Sequence, residues 1–287
     1  MKIGVVGSIN IDFVTVAEIA PKMGETVVGT SFHTVFGGKG ANLAVAIGRL
    51  GRGASMFGAV GDDAFGIDAI RNLKDNNVDV ANIATLKGES SGTASITVAE
   101  ENNSIIVIGG ANAKVDEKFV RQYEAQLKTC GIIGTQLEID PSAVLWLSRF
   151  AKENGIKFVF NPSPDKEYDP EIIENSDIVI VNEIEIEKLG GAEALKKHSN
   201  KLILTEGPKG VSFYDGGKMV SIPAMKVGVV DTTGAGDTFM GALMVRISEG
   251  ATMVEAIRFA NVAAGLKCTK LGAQTGMPNR EEVDEII

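Results

Sequence analysis

From about residue 115 onward the chain repeats one pattern, a short apolar run of strand length followed by a segment with helical spacing. The runs cover 132–137, 158–160, 178–181 and 202–204. The last third is helical: Met240, Leu243, Met244 and Ile247, then Met253, Ala256, Ile257 and Ala260, recur at i, i+3, i+4 and i+7. Parallel neighbours need long crossovers, and crossover helices shield both faces, so this alternation predicts a mostly parallel sheet buried between helices. The first third departs from the rhythm. Residues 3–6, 13–16, 26–36, 95–99 and 105–108 read as strands, with two helices among them, one carrying Leu43, Ile47 and Leu50 and one over 64–76. The predicted fold is therefore α/β, a three-layer mostly parallel sheet with helices on both faces, plus a small β-sheet lid. The lid segments are approximately 11–36 and 92–110, within a single domain over 1–287.

Composition removes several classes of function. With 287 residues and 44% hydrophobic content the chain can bury a large core and is not disordered. Two distant cysteines, Cys130 and Cys268, exclude a disulfide scaffold. No export signal is evident in Met1-Lys2-Ile3-Gly4-Val5-Val6, so the expectation is reduced thiols in the cytoplasm. No apolar run approaches the roughly 18 residues of a membrane span. A net charge of −9 without a basic tract argues against nucleic acid or an anionic membrane as partner. Any phosphate must then be held by local devices.

Polar residues stand directly after several predicted strands: Asn10 and Asp12, Glu138, Asn161, Asn182 and Thr205. Each alone reads as a turn former or a helix cap. Together they point to one shared site, because open α/β sheets bind ligands beyond the carboxyl ends of their strands.

Two stretches carry sharper chemistry. Val230-Asp231-Thr232-Thr233-Gly234-Ala235-Gly236-Asp237 joins an apolar run to a strongly periodic helix. Glycines there let backbone approach a ligand, and the unpaired N–H groups of a first helical turn stabilise phosphate or a developing anion. Asp237 is either a cap of its own helix or a general base beside those amides. The second stretch, Phe36-Gly37-Gly38-Lys39-Gly40-Ala41-Asn42, also opens a helix. It is not a Walker A loop, because no Gly-Lys-Ser/Thr occurs in the chain, and Leu43 stands where a dinucleotide fingerprint needs its third glycine. Its glycines fit a hinge, a close backbone–ligand contact or a tight turn, while Lys39 and Asn42 could hydrogen-bond a polyol.

These two stretches, in this order, resemble the paired signatures of the phosphofructokinase-B, or ribokinase-like, sugar kinase family. The likeness extends through Gly7-Ser8-Ile9-Asn10-Ile11-Asp12, Gly61-Asp62-Asp63, Gly109-Gly110-Ala111-Asn112, Gln136-Leu137-Glu138, Asn161-Pro162, Asn182-Glu183-Ile184-Glu185 and Gly272-Ala273-Gln274. The resemblance implies ATP-dependent phosphorylation of a sugar, D-ribose at O5 before fructose, a keto-deoxy sugar acid or a nucleoside. It implies that Asn10, Asp12, Gly38, Lys39, Gly40, Asn42 and Glu138 hold the sugar. Asp237 would be the catalytic base, with Gly234, Ala235 and Gly236 forming the anion hole. ATP would lie on Asn182, Glu185, Thr205, Gly207, Gly210, Gly236 and Asn261, with Mg²⁺ near the Asn-x-x-Glu motif. A monovalent cation, usually K⁺, would lie among Asp231, Thr233, Lys267, Lys270, Gly272 and Gly276; many of these contacts would be backbone carbonyls, so the two lysines would be no obstacle, although Gly276 stands where some members have Ser.

The implied partners are a small-molecule sugar and ATP. An open lid edge would also favour a homodimer through the lid. A sugar-binding sensor that had lost catalysis would be marked by loss of Asp237 or of the glycines before it, and neither is lost. His33 and His198 have no partner at metal-ligand spacing.

Overall fold

A computed structural model describes residues 1–100 and 102–287, so position 101 of the expected lid segment lies outside the described residues. In chain order the strands are β1 (Ile3–Val6), β2 (Asn10–Ala17), β3 (Gly29–Gly37), β4 (Ala54–Gly61), β5 (Val78–Leu86), β6 (Gly92–Ala99), β7 (Asn102–Ile108), β8 (Ile132–Thr135), β9 (Lys157–Phe160), β10 (Ile178–Asn182), β11 (Leu202–Thr205), β12 (Val211–Asp215) and β13 (Lys218–Ile222). The helices are α1 (Lys39–Arg49), α2 (Ala64–Asp75), α3 (Glu117–Arg121), α4 (Glu124–Leu127), α5 (Pro141–Glu153), α6 (Glu171–Asn175), α7 (Glu183–Lys188), α8 (Ala192–Lys197), α9 (Ala235–Ser248), α10 (Met253–Cys268) and α11 (Arg280–Asp284).

Nine strands form the main sheet in the order β13-β12-β11-β10-β9-β8-β1-β4-β5. All neighbours from β11 through β5 pair parallel, while β12 and β13 add an antiparallel edge. Alternation along each strand sorts the core between the two faces. Ile3, Val5, Ile132, Val159, Ile178 and Ile180 point to the side covered by α1, α2, α9 and α10. Val6, Ile133, Phe158, Phe160, Val179 and Val181 point to the side covered by α3 and α5. α9 and α10 are apolar on nearly every side and are buried accordingly. A Cβ at Gly241 of α9 would stand 2.8 Å from the Ala46 Cβ of α1, so glycine sets the distance at which these two helices cross.

The second sheet has the order β3-β2-β6-β7. β2 pairs antiparallel with β3 and parallel with β6, and β6 pairs antiparallel with β7. Strand structure expected from residue 26 begins only at Gly29, and that expected to residue 137 ends at Thr135. β4, β5, β12 and β13 were not anticipated by the sequence pattern. No helix among the described residues is long and apolar enough to cross a membrane.

Candidate active site

The carboxyl ends of β1, β8, β9, β10 and β11 share one edge because these strands run parallel. At the end of β1 the chain passes through Gly7-Ser8-Ile9 into β2, and the first turn of α1 is laid on this crossing. The amide of Ala41 donates to the Ser8 carbonyl at 2.8 Å and that of Gly40 to Ser8 Oγ at 3.3 Å. A Cβ at Gly40 would come 2.6 Å from Gly7 C and Ser8 N. Gly38 has φ +87°, and a Cβ there would meet Asn10 N at 2.7 Å. What these glycines permit is backbone packed against backbone, a role not among those expected of them. Gly37 leaves the space that the Asp12 carboxylate fills.

Acidic side chains converge on this packed corner. Glu138, just past β8, accepts from Ser8 Oγ at 2.5 Å and from the Lys39 amide at 2.9 Å, both on Oε2. Burial pushes the Asp12 carboxyl up to about 6, and the charge of Glu138 acts in the same direction. Asn10 is oriented by Asn112, whose Nδ2 donates to Asn10 Oδ1 at 2.7 Å. Asn112 also accepts from Ile9 N at 2.9 Å and donates to Ile9 O at 3.1 Å, so one buried carboxamide fixes the entry to β2. No role was assigned to Asn112 from the sequence, although it closes a recognised motif.

Asp237 does not cap its helix. The N-cap of α9 is Gly234, in the left-handed region, with no side-chain cap bond. The Asp237 carboxylate instead accepts from Asn42 Nδ2 at 2.9 Å across the α1–α9 contact. It is 7% exposed, and burial raises its pKa; Lys39 and the Asn42 hydrogen bond oppose that rise, while Glu138 adds to it. Asn42 is held in turn: Gln274 Nε2 donates to its Oδ1 at 3.0 Å, and Asn72 Nδ2 donates to Gln274 Oε1 at 2.7 Å. Each amide in this chain donates toward Asp237, so the orientation of Asn42 is fixed by partners distant in sequence. The Ala235 amide, expected in the anion hole, donates to Thr232 O at 3.1 Å, whereas those of Gly236 and Asp237 have no backbone acceptor among the described residues.

A second group of expected residues lies at the ends of β10 and β11. Asn182 and Glu185 form a capping box on α7: Asn182 Oδ1 accepts from the Ile184 and Glu185 amides, and Glu185 Oε2 accepts from Asn182 N at 3.0 Å. Asn161 Nδ2 also reaches Glu185 Oε2, at 3.2 Å. Asn182 is thus committed to its helix, while Glu185 Oε1 receives no hydrogen bond from the described residues. One oriented carboxylate oxygen suits Mg²⁺, which takes one or two carboxylates, substrate phosphates and water rather than a closed protein cage. No larger cluster of metal-ligating side chains occurs among the described residues. Thr205 Oγ1 donates to Val181 O at 3.2 Å, Gly207 and Gly210 take φ +53° and +110°, and Asn261 Nδ2 reaches Pro223 O at 3.3 Å.

The residues expected around a monovalent cation also meet, in an arrangement with its own cation. The carbonyls of Lys267, Lys270 and Gly272 converge to within 3.0–3.1 Å of the point a Cβ on Gly276 would occupy. The Asp231 carbonyl, however, already accepts from Lys267 Nζ at 2.6 Å, and that ammonium lies 3.7 Å from Asp231 Oδ2. Lysine at position 267 is therefore an obstacle, contrary to expectation, because its ammonium turns into the loop: a metal ion sharing that carbonyl would meet a like charge, and Gly276 offers no side-chain oxygen, so K⁺ does not fit the loop as it stands.

Comparison with known proteins shows the family of the chain. The sequence profile of the pfkB family carbohydrate kinases matches residues 1–280. This chain belongs to that family. A ribokinase from Lactococcus lactis subsp. lactis (strain IL1403) is 44% identical, over 98% of this chain and 95% of the relative. A ribokinase from Bacillus subtilis (strain 168) is 41% identical, over 99% of this chain and 98% of the relative. The solved structure of Arabidopsis thaliana ribokinase complexed with ribose and ATP superposes with a TM-score of 0.93 at 31% identity, over 99% of this chain and 97% of that one. As a pfkB kinase the protein is an ATP-dependent sugar kinase. The crossing of α1 and α9 joins the two family signatures through the Asn42–Asp237 bond, across 195 residues of sequence.

Proposed function

We propose that this kinase transfers the γ-phosphoryl group of ATP to O5 of D-ribose, giving D-ribose 5-phosphate. The observation that carries this reading is the buried Asp237 carboxylate, held by Asn42 beside the free amides of Gly236 and Asp237 and close to the Asp12–Glu138 corner. Asp12, Glu138, Asn10, Asn42 and Lys39 take the sugar hydroxyls, and the glycines at 38 and 40 let backbone approach the ring. Asp237 accepts the proton of the attacking hydroxyl, its raised pKa making it a stronger base than an exposed carboxylate. The amides of Gly236 and Asp237 take the developing charge on the phosphoryl oxygens. Mg²⁺, when bound through Glu185 and the nucleotide phosphates, neutralises charge on the transferring group. Thr205, Gly207, Gly210 and Asn261 receive the nucleotide.

Ribose is favoured because the relatives just named are ribokinases and one is solved with ribose and ATP. A nucleoside would need an aromatic partner for its base, and Phe13 is already engaged, stacked on Phe32 and edge-on to Phe65. A phosphosugar would meet the charge of Glu138. The second sheet serves as a lid that excludes water from the phosphoryl group. Its edge strand β7 exposes Ile105, Ile106, Val107 and Ile108, which supports a homodimer through the lids. The unpaired Cys130 and Cys268 and the need for ATP support a cytoplasmic location.

ADP release with Mg²⁺-ATP across ribose, 2-deoxyribose, fructose, a keto-deoxy sugar acid and adenosine tests the reading. Ribose-selective turnover supports it. Selective turnover of another member moves the substrate and keeps the mechanism. Ribose binding without turnover would establish the sensor instead.

A further inference from the structure

We propose that Lys267 is the cation of the Asp231 loop, and that this protein therefore works without a monovalent metal ion. Lys267 sits in the last turn of α10 with a side chain of zero exposure, and its ammonium donates to the Asp231 carbonyl. A fully buried ammonium persists only where an anion or carbonyl compensates it, and Asp231 supplies both. The same aspartate organises the approach to the anion hole. Its Oδ1 accepts from Thr233 N at 2.9 Å and Thr233 Oγ1 at 2.7 Å, and its Oδ2 accepts from Gly272 N at 2.8 Å. Thr233 leads into Gly234, which packs on Ala273 so closely that a Cβ would stand 3.0 Å from the Ala273 Cβ. The ammonium thus anchors the turn that aims the amides of Gly236 and Asp237. Lys270 is no competitor, since its ammonium is turned outward to Glu282 at 2.9 Å. Lys267 is a positioning residue: it touches neither substrate nor the reacting atoms. The proposal rests on the kinase reading only for its activity arm.

The test compares the full chain in potassium, sodium and tetramethylammonium at equal ionic strength, reading both kcat and melting temperature. The native protein should show the same kcat and the same melting temperature in all three. Lys267→Met should lose about 100-fold in kcat in tetramethylammonium, the cost of misplacing a catalytic group by about an ångström. Potassium or ammonium should restore that activity and raise the variant's melting temperature. A native kcat or melting temperature that rises specifically with potassium overturns the proposal, and so does Lys267→Met turning over normally in tetramethylammonium. Should Lys267→Met fail to fold, the native comparison and Lys267→Arg, which keeps the charge and should stay indifferent to potassium, decide. If no sugar is turned over, the melting temperatures still read the loop, so failure of the kinase reading is told apart from failure of this one.

Discussion

Asp12 should weaken the fold it belongs to. Its carboxyl moves from an ordinary 3.8 to about 6 because burial and the neighbouring Glu138 both disfavour the anion. Between those two values the folded protein binds more protons than the unfolded chain, so stability falls as pH rises from about 4 to about 6 and is level above. A shift of this size corresponds to about 3 kcal/mol at pH 7. Asp12→Asn removes the titration while keeping the shape. Urea unfolding of both proteins from pH 4 to pH 8 isolates the effect, since the other carboxylates cancel in the difference. The variant should gain on the native protein by about 3 kcal/mol across that window. If Asp12 holds the sugar as proposed, the variant should also bind ribose about 100-fold more weakly by calorimetry, a charged acceptor having become a neutral amide. A stability gap that stays constant from pH 4 to pH 8 would refute the reasoning, because it would mean that Asp12 is not held against its neighbours.

Three further outcomes follow from the geometry. Asp237→Asn should lower kcat by about 10²–10⁴-fold with little change in ribose KM, measured by ADP release; an equal loss expressed only in KM would reduce Asp237 to a binding residue. Gly38→Ala places a Cβ 2.7 Å from Asn10 N at φ +87°, and should destabilise the protein by more than about 1 kcal/mol in thermal melts while raising ribose KM. Ile106→Lys, on a side chain that is 69% exposed on β7, should convert a dimer to a monomer in sedimentation; a native protein that is already monomeric removes the lid pairing.

The alternation after residue 115 specified the parallel sheet because those strands are buried on both faces and read as continuous apolar runs. β4 escaped the same logic: Ala-Ser-Met-Phe-Gly-Ala-Val-Gly is fully buried yet holds few β-branched residues, and small side chains there answer to close packing. The β12–β13 hairpin carried a usable signal, Asp215-Gly216-Gly217 between two strand-like runs. The candidate site was legible where its residues sit on glycine-bordered motifs. The Asn112 contact to Asn10 and the Gln274 contact to Asn42 were not, because they join positions 102 and 232 residues apart and leave no local pattern. Asn182 shows the opposite case: an Asn-x-x-Glu spacing serves equally well for a ligand motif and for a capping box, and the fold spends Asn182 on the box while leaving one oxygen of Glu185 free. Lys267 was legible as a residue of the loop, but the direction of its side chain was not.

The placement of α9 and α10 also sets a timetable for the growing chain. They cover the face of the sheet that carries Ile3, Val5, Ile132 and Val159, yet they follow every strand of that sheet in the chain and leave the ribosome after all of them. Until they arrive, much of a finished-looking apolar surface faces water, the condition under which a nascent chain sticks to its neighbours or recruits a chaperone. The same delay keeps Asp237 from Asn42, so under the proposed mechanism the unfinished chain has no base with which to spend ATP. Completion of the core and the onset of chemistry are one event.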